Sequence, residues 1–194
     1  MGDIVIDANA GVHAKQVSKG AAGVPPIAAL DLLCGAGVRL ALTKKVQGEQ
    51  IAASVSAHLE RWEKQGWIRS EVVERTESKA IENRVGNLRP KPNAPDIALI
   101  ALALRLGMPL YTHDGPAALW ARACWLVVVD VIDVAAYVMH RGLASWPEIE
   151  VGHAGLGNRQ GIPRPEDWAG TVQSTHLARP DRAALLADID AILR

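Results

Sequence analysis

The chain has 194 residues, 49% hydrophobic and 22% charged, a balance that fits an ordinary soluble globular protein with one real core. Lysine plus arginine equals aspartate plus glutamate at 21 each, which argues against a passive nucleic-acid coat, because phosphate neutralisation calls for a strongly basic chain. No apolar run approaches the ~20 residues that span a bilayer, Met1-Gly-Asp-Ile-Val-Ile-Asp7 sets acids around its apolar run unlike a signal peptide, and Cys34 and Cys124 are too few and too distant for a disulfide framework, so a cytoplasmic protein with no membrane partner is expected.

In chain order, Asp3–Ile6 reads as a first strand and Pro25–Leu33 as a helix closed by Gly35–Gly37. Val38–Leu42 reads as a second strand, then Val46–Lys64 as one long helix with Ile51, Val55, Leu59 and Trp62 at helical spacing, stopped by Gly66. Trp67–Val73 is a short or edge strand and Lys79–Leu88 a helix. Pro95 opens a helix over Asp96–Leu106, which Gly107 closes. Met108–Thr112 is a strand, Pro116–Ala123 a helix, Trp125–Val129 a strand and Val131–His140 a helix. Strands alternating with helices predict an α/β fold, a three-layer α/β/α sandwich on a mostly parallel sheet. From about Gly142 the texture changes: Trp146 to Trp168 is crowded with Gly and Pro, and Pro180 to Arg194 regains a helical stripe of Leu185, Leu186, Ile189, Ile192 and Leu193. The expected organisation is a domain over residues 1–142 and, over 143–194, a linker with an amphipathic helix. That stripe would dock on its own domain, on a second copy in a homodimer, or on an inhibitor.

Four acids gain meaning from this order. Asp7 and Asp114 follow strands, so they sit at strand C-terminal ends, which all lie on one edge of a parallel sheet. Helices that return across the sheet start from that edge, which places Asp96 there, and Glu49 lies in the first turns of the helix after the second strand. Each has a plainer explanation: Asp96 and Asp114 suit a helix's first turn, and Glu49 suits a solvated face. Together, neighbouring carboxylates raise one another's pKa unless a cation neutralises them. Mg²⁺ or Mn²⁺ is the cation for an all-oxygen set, and such ions activate water and stabilise a phosphoryl transition state.

Ile4-Val-Ile-Asp-Ala-Asn9 and Pro95-Asp-Ile-Ala-Leu-Ile-Ala-Leu-Ala103, leading into Leu110-Tyr-Thr-His-Asp114, carry a resemblance to the PIN-domain family of metal-dependent ribonucleases, the fold of VapC-type toxins. It covers about residues 1–140. In that family an acid after the first strand, a Glu early in the next long helix, an Asp opening a later helix and an Asp after the following strand bind the metals. Asp7, Glu49, Asp96 and Asp114 match these in order and spacing, with Glu60 and Glu63 as alternatives further along the helix of Glu49. Asn9 and Thr112 match the polar positions that support the first and last acids. The family often carries another acid just past the last Asp, where this chain has Gly115, Pro116, Ala117 and Ala118, so one metal or two stays open. The resemblance implies a Mg²⁺- or Mn²⁺-dependent endoribonuclease, the toxin of a toxin–antitoxin pair, with RNA as substrate and an antitoxin protein as partner.

Lys44 and Lys45 precede Glu49, and Arg84, Arg89 and Lys91 precede Asp96 in a Pro-rich stretch. They are candidates for positioning substrate phosphates without reading sequence, and equally ordinary solvated surface. Alternation turns His113 away from the acids. Trp62, Trp67, Trp120 and Trp125 are expected in the core, since Phe is absent. The alternative function is a PIN-like scaffold with weakened catalysis that binds RNA or protein. A haloacid-dehalogenase-type phosphatase needs an acid where Asn9 stands, and Gly155–Gly161 lacks the strand and Lys-Ser/Thr of a phosphate loop.

Overall fold

The computed structural model describes residues 2–17, 28–52, 56–145, 148–149 and 191. Among them the order is β1 (Asp3–Ile6), α1 (Ala8–Val17), α2 (Ala29–Gly35), β2 (Arg39–Thr43), α3 (Lys44–Ala52), α4 (Ser56–Lys64) and β3 (Ile68–Glu71). Then follow α5 (Arg75–Val85), α6 (Ala94–Leu106), β4 (Leu110–Tyr111), α7 (Gly115–Ala123), β5 (Val128–Val129) and α8 (Val131–His140). The strands form one sheet in the order β3-β2-β1-β4-β5, every pairing parallel. The fold is α/β with a parallel central sheet, as the alternating pattern predicted.

Chain direction across the sheet explains the layers. From β1 the chain steps outward to β2 and β3, then crosses back to β4 and β5 on the other side of β1. Right-handed crossovers put the helices of the two legs on opposite faces. Accordingly α6 touches both α5 and α7, while α2 meets α8, and α1 meets α3 and α4. The sheet's order reverses between β1 and β4, and open α/β folds place ligands in the crevice beyond the strand ends at such a switch.

β1 is short but buried throughout, with Ile4, Val5 and Ile6 at 2% exposure or less, as a central parallel strand covered on both faces requires. α6 is apolar over most of its surface, burying Ile97, Leu99, Ile100, Ala101, Leu102 and Ala103. Its ends are set by local chemistry: Asn93 caps the start, and Gly107 ends it at φ 64°, where a side chain would be strained. β3 is the edge strand, and its residues are half-buried or exposed.

Several boundaries differ from those expected. α1 is an addition to the expected elements; Asn9, His13, Lys15 and Gln16 interrupt any apolar stripe along it. The helix assigned to Pro25–Leu33 begins at Ala29, after extended Ala28, and residues 18–27 lie outside the described residues. The long helix Val46–Lys64 corresponds to α3 and α4 on either side of 53–55, which are also outside them. The helix placed at Lys79–Leu88 begins earlier, at Arg75, because Glu74 and Glu77 form a reciprocal capping box there. Asp96 is the third residue of its helix rather than the first. Trp62 and Trp120 are fully buried and Trp67 half-buried, but Trp125 is 85% exposed. It ends α7 with φ 67°, which turns its side chain out and shortens the strand expected at Trp125–Val129 to Val128–Val129. Of the expected linker only 143–145 and 148–149 are described, with Leu143 and Ala144 packed against the core and Ile149 buried in it. The stripe residues Leu185, Leu186, Ile189, Ile192 and Leu193 lie outside the described residues, and Ala191, which falls between them, is helical. No helix among the described residues is long and apolar enough to cross a membrane.

Candidate functional site

Asp7 lies at the C-terminal end of β1 and is 4% exposed. Asn9 donates to it twice, from its backbone N–H to Oδ1 at 2.8 Å and from its side-chain amide to Oδ2 at 3.3 Å. The Thr112 hydroxyl and the His113 backbone N–H also hydrogen-bond to the Asp7 carboxylate. Burial outweighs these donors and pushes its pKa up to about 6, because an ion loses more solvation than neutral dipoles return. Thr112 in turn accepts the Asp114 backbone N–H at 3.0 Å. One hydroxyl therefore links the first and last acids, through the carboxylate of Asp7 and the backbone N–H of Asp114.

Asp114 caps α7, accepting the Ala117 backbone N–H at 2.8 Å. Asp96 donates its backbone N–H to Asn93 Oδ1 at 2.9 Å and receives the Asn93 backbone N–H on its carboxylate. The plain helix-start explanation thus holds for both acids, and it also serves a site. Caps fix the two carboxylates at the starts of helices that leave the same sheet edge.

The four acids share one electrostatic neighbourhood. The Asp96 carboxyl is pushed up to about 6, first by partial burial, then by Asp114, Asp7 and finally Glu49. Glu49 is exposed on α3, and it is the member of its helix region that Asp96 feels. Glu63, an alternative for that place, accepts the Gln47 side-chain amide at 2.6 Å on exposed surface. Among the described residues, no three His, Cys, Asp or Glu side chains are close enough to make a ready-formed metal-ligand set. The carboxylates lie within Coulomb range of Asp96 rather than in coordination geometry. As donors they offer only hard oxygen, which suits Mg²⁺ or Mn²⁺ over softer metals.

The basic candidates divide. Lys44 and Lys45 are exposed first residues of α3, directly after the end of β2 at the acid edge, where Thr43 Oγ1 accepts the Val46 backbone N–H at 3.3 Å. Arg84 is not in the Pro-rich stretch; it is in the last turn of α5, close enough to Cys124 to favour the thiolate there. Arg89 folds back onto the Gly86 and Leu88 carbonyls, each at 2.9 Å. Lys91 is exposed in the connection to α6. Only Lys44 and Lys45 have a placement beside the acids that the backbone itself fixes.

His113 turns its ring away from the acids, as expected. Its Nε2 accepts the Val131 backbone N–H at the start of α8 at 3.0 Å, so that nitrogen carries no proton, and burial lowers its pKa against the pull of Asp130. It meets His13 edge-on at 4.7 Å between ring centroids, and His13 Nδ1 lies 2.6 Å from the buried Tyr111 hydroxyl. Sequence pattern does not reveal this polar layer beneath the acids, because its members are scattered over α1, β4 and α8. Asn93 was also missed, although Asn93-Ala-Pro-Asp96 has the spacing of a cap and its third helical residue.

Comparison with protein-family models, curated proteins and solved structures returned no match to this chain.

Proposed function

We propose that the protein is a Mg²⁺- or Mn²⁺-dependent endoribonuclease, with Asp7, Glu49, Asp96 and Asp114 as its metal-binding acids. The observation that carries this reading is a placement: Asp7 just after β1, Asp114 capping α7 just after β4, and Asp96 in the first turn of α6, near enough that the other three acids all act on it. Like-charged carboxylates gathered at a topological switch point cost stability, and such a cost is what a functional site carries where a ligand is to bind. A divalent ion held there would supply an activated water and neutralise charge on the phosphodiester in the transition state.

The chain's own groups have definable tasks. Asn9 and Thr112 hold the Asp7 carboxylate in one orientation, the supporting role that outer hydrogen bonds play around metal ligands. The capping bonds of Asn93 and Ala117 do the same for Asp96 and Asp114. Lys44 and Lys45 place positive charge at the acid edge, where it can hold backbone phosphates without reading bases. The PIN-domain resemblance supports RNA as the substrate and a toxin role with an antitoxin partner.

A second reading is a PIN-like scaffold that binds RNA or protein without cutting. It is favoured by the lack, among the described residues, of a ready-formed ligand set, and by the missing acid at Gly115–Ala118. One experiment separates the two: incubation of the purified protein with single-stranded RNA and Mg²⁺ or Mn²⁺, with and without excess chelator. The nuclease reading requires cleavage that the chelator abolishes. Binding without cleavage under any divalent ion supports the scaffold instead.

A further inference from the structure

Between α5 and the first turn of α6 lies a groove of about 310 Å³, lined by Arg75, Ser78, Lys79, Glu82, Ala94 and Ile97. Arg75 and Lys79 are four residues apart and so share a helix face. Both are exposed, and among the described residues neither makes an ion pair or a side-chain hydrogen bond. Nearby arginines are engaged: Arg69 pairs with Asp3 and Glu71, and Arg105 with Glu71 and Glu77. Arg75 is moreover the first residue of α5, where the positive end of the helix disfavours a cation. Two cations thus stand unneutralised in one concavity, one of them against the local field.

The lining indicates what would neutralise them. Glu82 is its single acid, so positive charge is in excess. There is no aromatic surface on which a base could stack, and the Ser78 hydroxyl is a further donor. This chemistry suits a phosphate rather than a base. Ala94 and Ile97 belong to the same first turns of α6 as Asp96, so the groove opens round the helix from that acid, within about one helix width, about 10–12 Å. A flexible single strand can follow that corner where a stiff duplex cannot.

We propose that this groove is a phosphate subsite in which Arg75 and Lys79 hold the backbone of a single-stranded RNA whose scissile phosphate lies at the acids. The inference rests on the ribonuclease reading of that centre, and its test is chosen so that the two can fail separately. Binding of a fluorescein-labelled, mixed-sequence single-stranded RNA is followed by anisotropy in excess chelator over a range of salt, for the whole chain and for Arg75→Ala/Lys79→Ala. Two lost phosphate contacts should lower the slope of log K against log salt by about 1.4, near 0.7 for each contact on a single strand, and should weaken all sequences alike. Arg75→Lys/Lys79→Arg should restore slope and affinity, and thermal melting of all three proteins should agree. If the native chain binds but does not cleave, and the double alanine variant loses the slope, the subsite stands and the nuclease reading falls. If the native chain cleaves and the variant keeps its slope and affinity, the subsite is wrong while the nuclease reading survives. Failure of the native chain to bind the RNA at all overturns the subsite.

Discussion

Asp3 and Asp7 stand at opposite ends of β1, four residues apart, and both are almost wholly buried, at 2% and 4% exposure. At the N-terminal edge, Asp3 is met by two guanidinium groups, Arg39 at 3.1 Å and Arg69 at 3.0 Å. At the C-terminal edge, Asp7 is met by the neutral donors of Asn9, Thr112 and His113 and faces the field it shares with Asp96. One buried acid is neutralised by cations within the fold, whereas the other is held in place by dipoles. Burial alone therefore does not distinguish the two acids; the charge of their partners does. The N-terminal edge uses its carboxylate for cohesion, and the C-terminal edge stores repulsion that a bound cation would relieve.

The largest expected effect is at the acid edge. Asp96→Asn and Asp7→Asn should each lower RNA cleavage by more than ~100-fold, beyond the loss typical of supporting residues. Their stabilities should differ. A carboxyl raised to about 6 from an unfolded value near 3.8 binds its proton more tightly when folded. Stability is then full below about pH 4 and is lost as pH rises through 6. For fully buried Asp7 the loss is on the order of 3 kcal/mol; for half-exposed Asp96, water screens the charge and the loss is smaller. Asp96→Asn should melt above the native protein at pH 7 and together with it near pH 4. Asp7→Asn should show little or no such gain, because its amide presents a donor to the donors of Asn9 and Thr112. Thermal melts of the three proteins at both pH values check this, and a gain for Asp7→Asn equal to that for Asp96→Asn would erase the distinction.

Thr112→Val comes next. It removes the hydroxyl that accepts from Asp114 and donates to Asp7 while keeping the shape of the side chain. Cleavage or divalent-metal affinity should fall ~10–100-fold with the fold intact by circular dichroism. Unchanged kinetics would reduce Thr112 to a strand residue that happens to lie there.

Asp3→Ala should show the smallest effect on activity and a moderate one on stability. Loss of a partner from a fully buried pair costs about 3–5 kcal/mol. Arg39 and Arg69 keep 48% and 34% side-chain exposure and can rehydrate, so a cost of ~1–3 kcal/mol is expected. Denaturant titration would measure it, and cleavage per folded molecule should not change. If activity disappears with the ion pair, the two ends of β1 are coupled rather than separate.

Much of this was legible in the chain. Ile4-Val-Ile-Asp7 displayed a buried strand that ends in an acid, because a continuous β-branched run needs no partner to be recognised. Pro95, Asp96 and Gly107 bounded α6 within two residues through the backbone preferences of proline and glycine. α1 was not legible because its ends lack such punctuation and its apolar residues do not repeat. For Trp125, composition predicts burial of a large aromatic, while its exposure follows from the turn that closes α7.

Sequence by itself determined the alternation of strands and helices, the sheet edge on which Asp7, Asp96 and Asp114 emerge, and the hard-oxygen character of the donors. Those follow from short-range backbone preference and from the common direction of parallel strands, both written locally. Only the tertiary structure decided that Asp3 meets Arg39 and Arg69, that Thr112 joins Asp7 to the backbone of Asp114, that Arg89 binds its own loop, and that Arg75 and Lys79 share a groove with the start of α6. Most of these pairings join residues tens of positions apart. They depend on strand order, helix rotation and burial, which no local run of residues encodes.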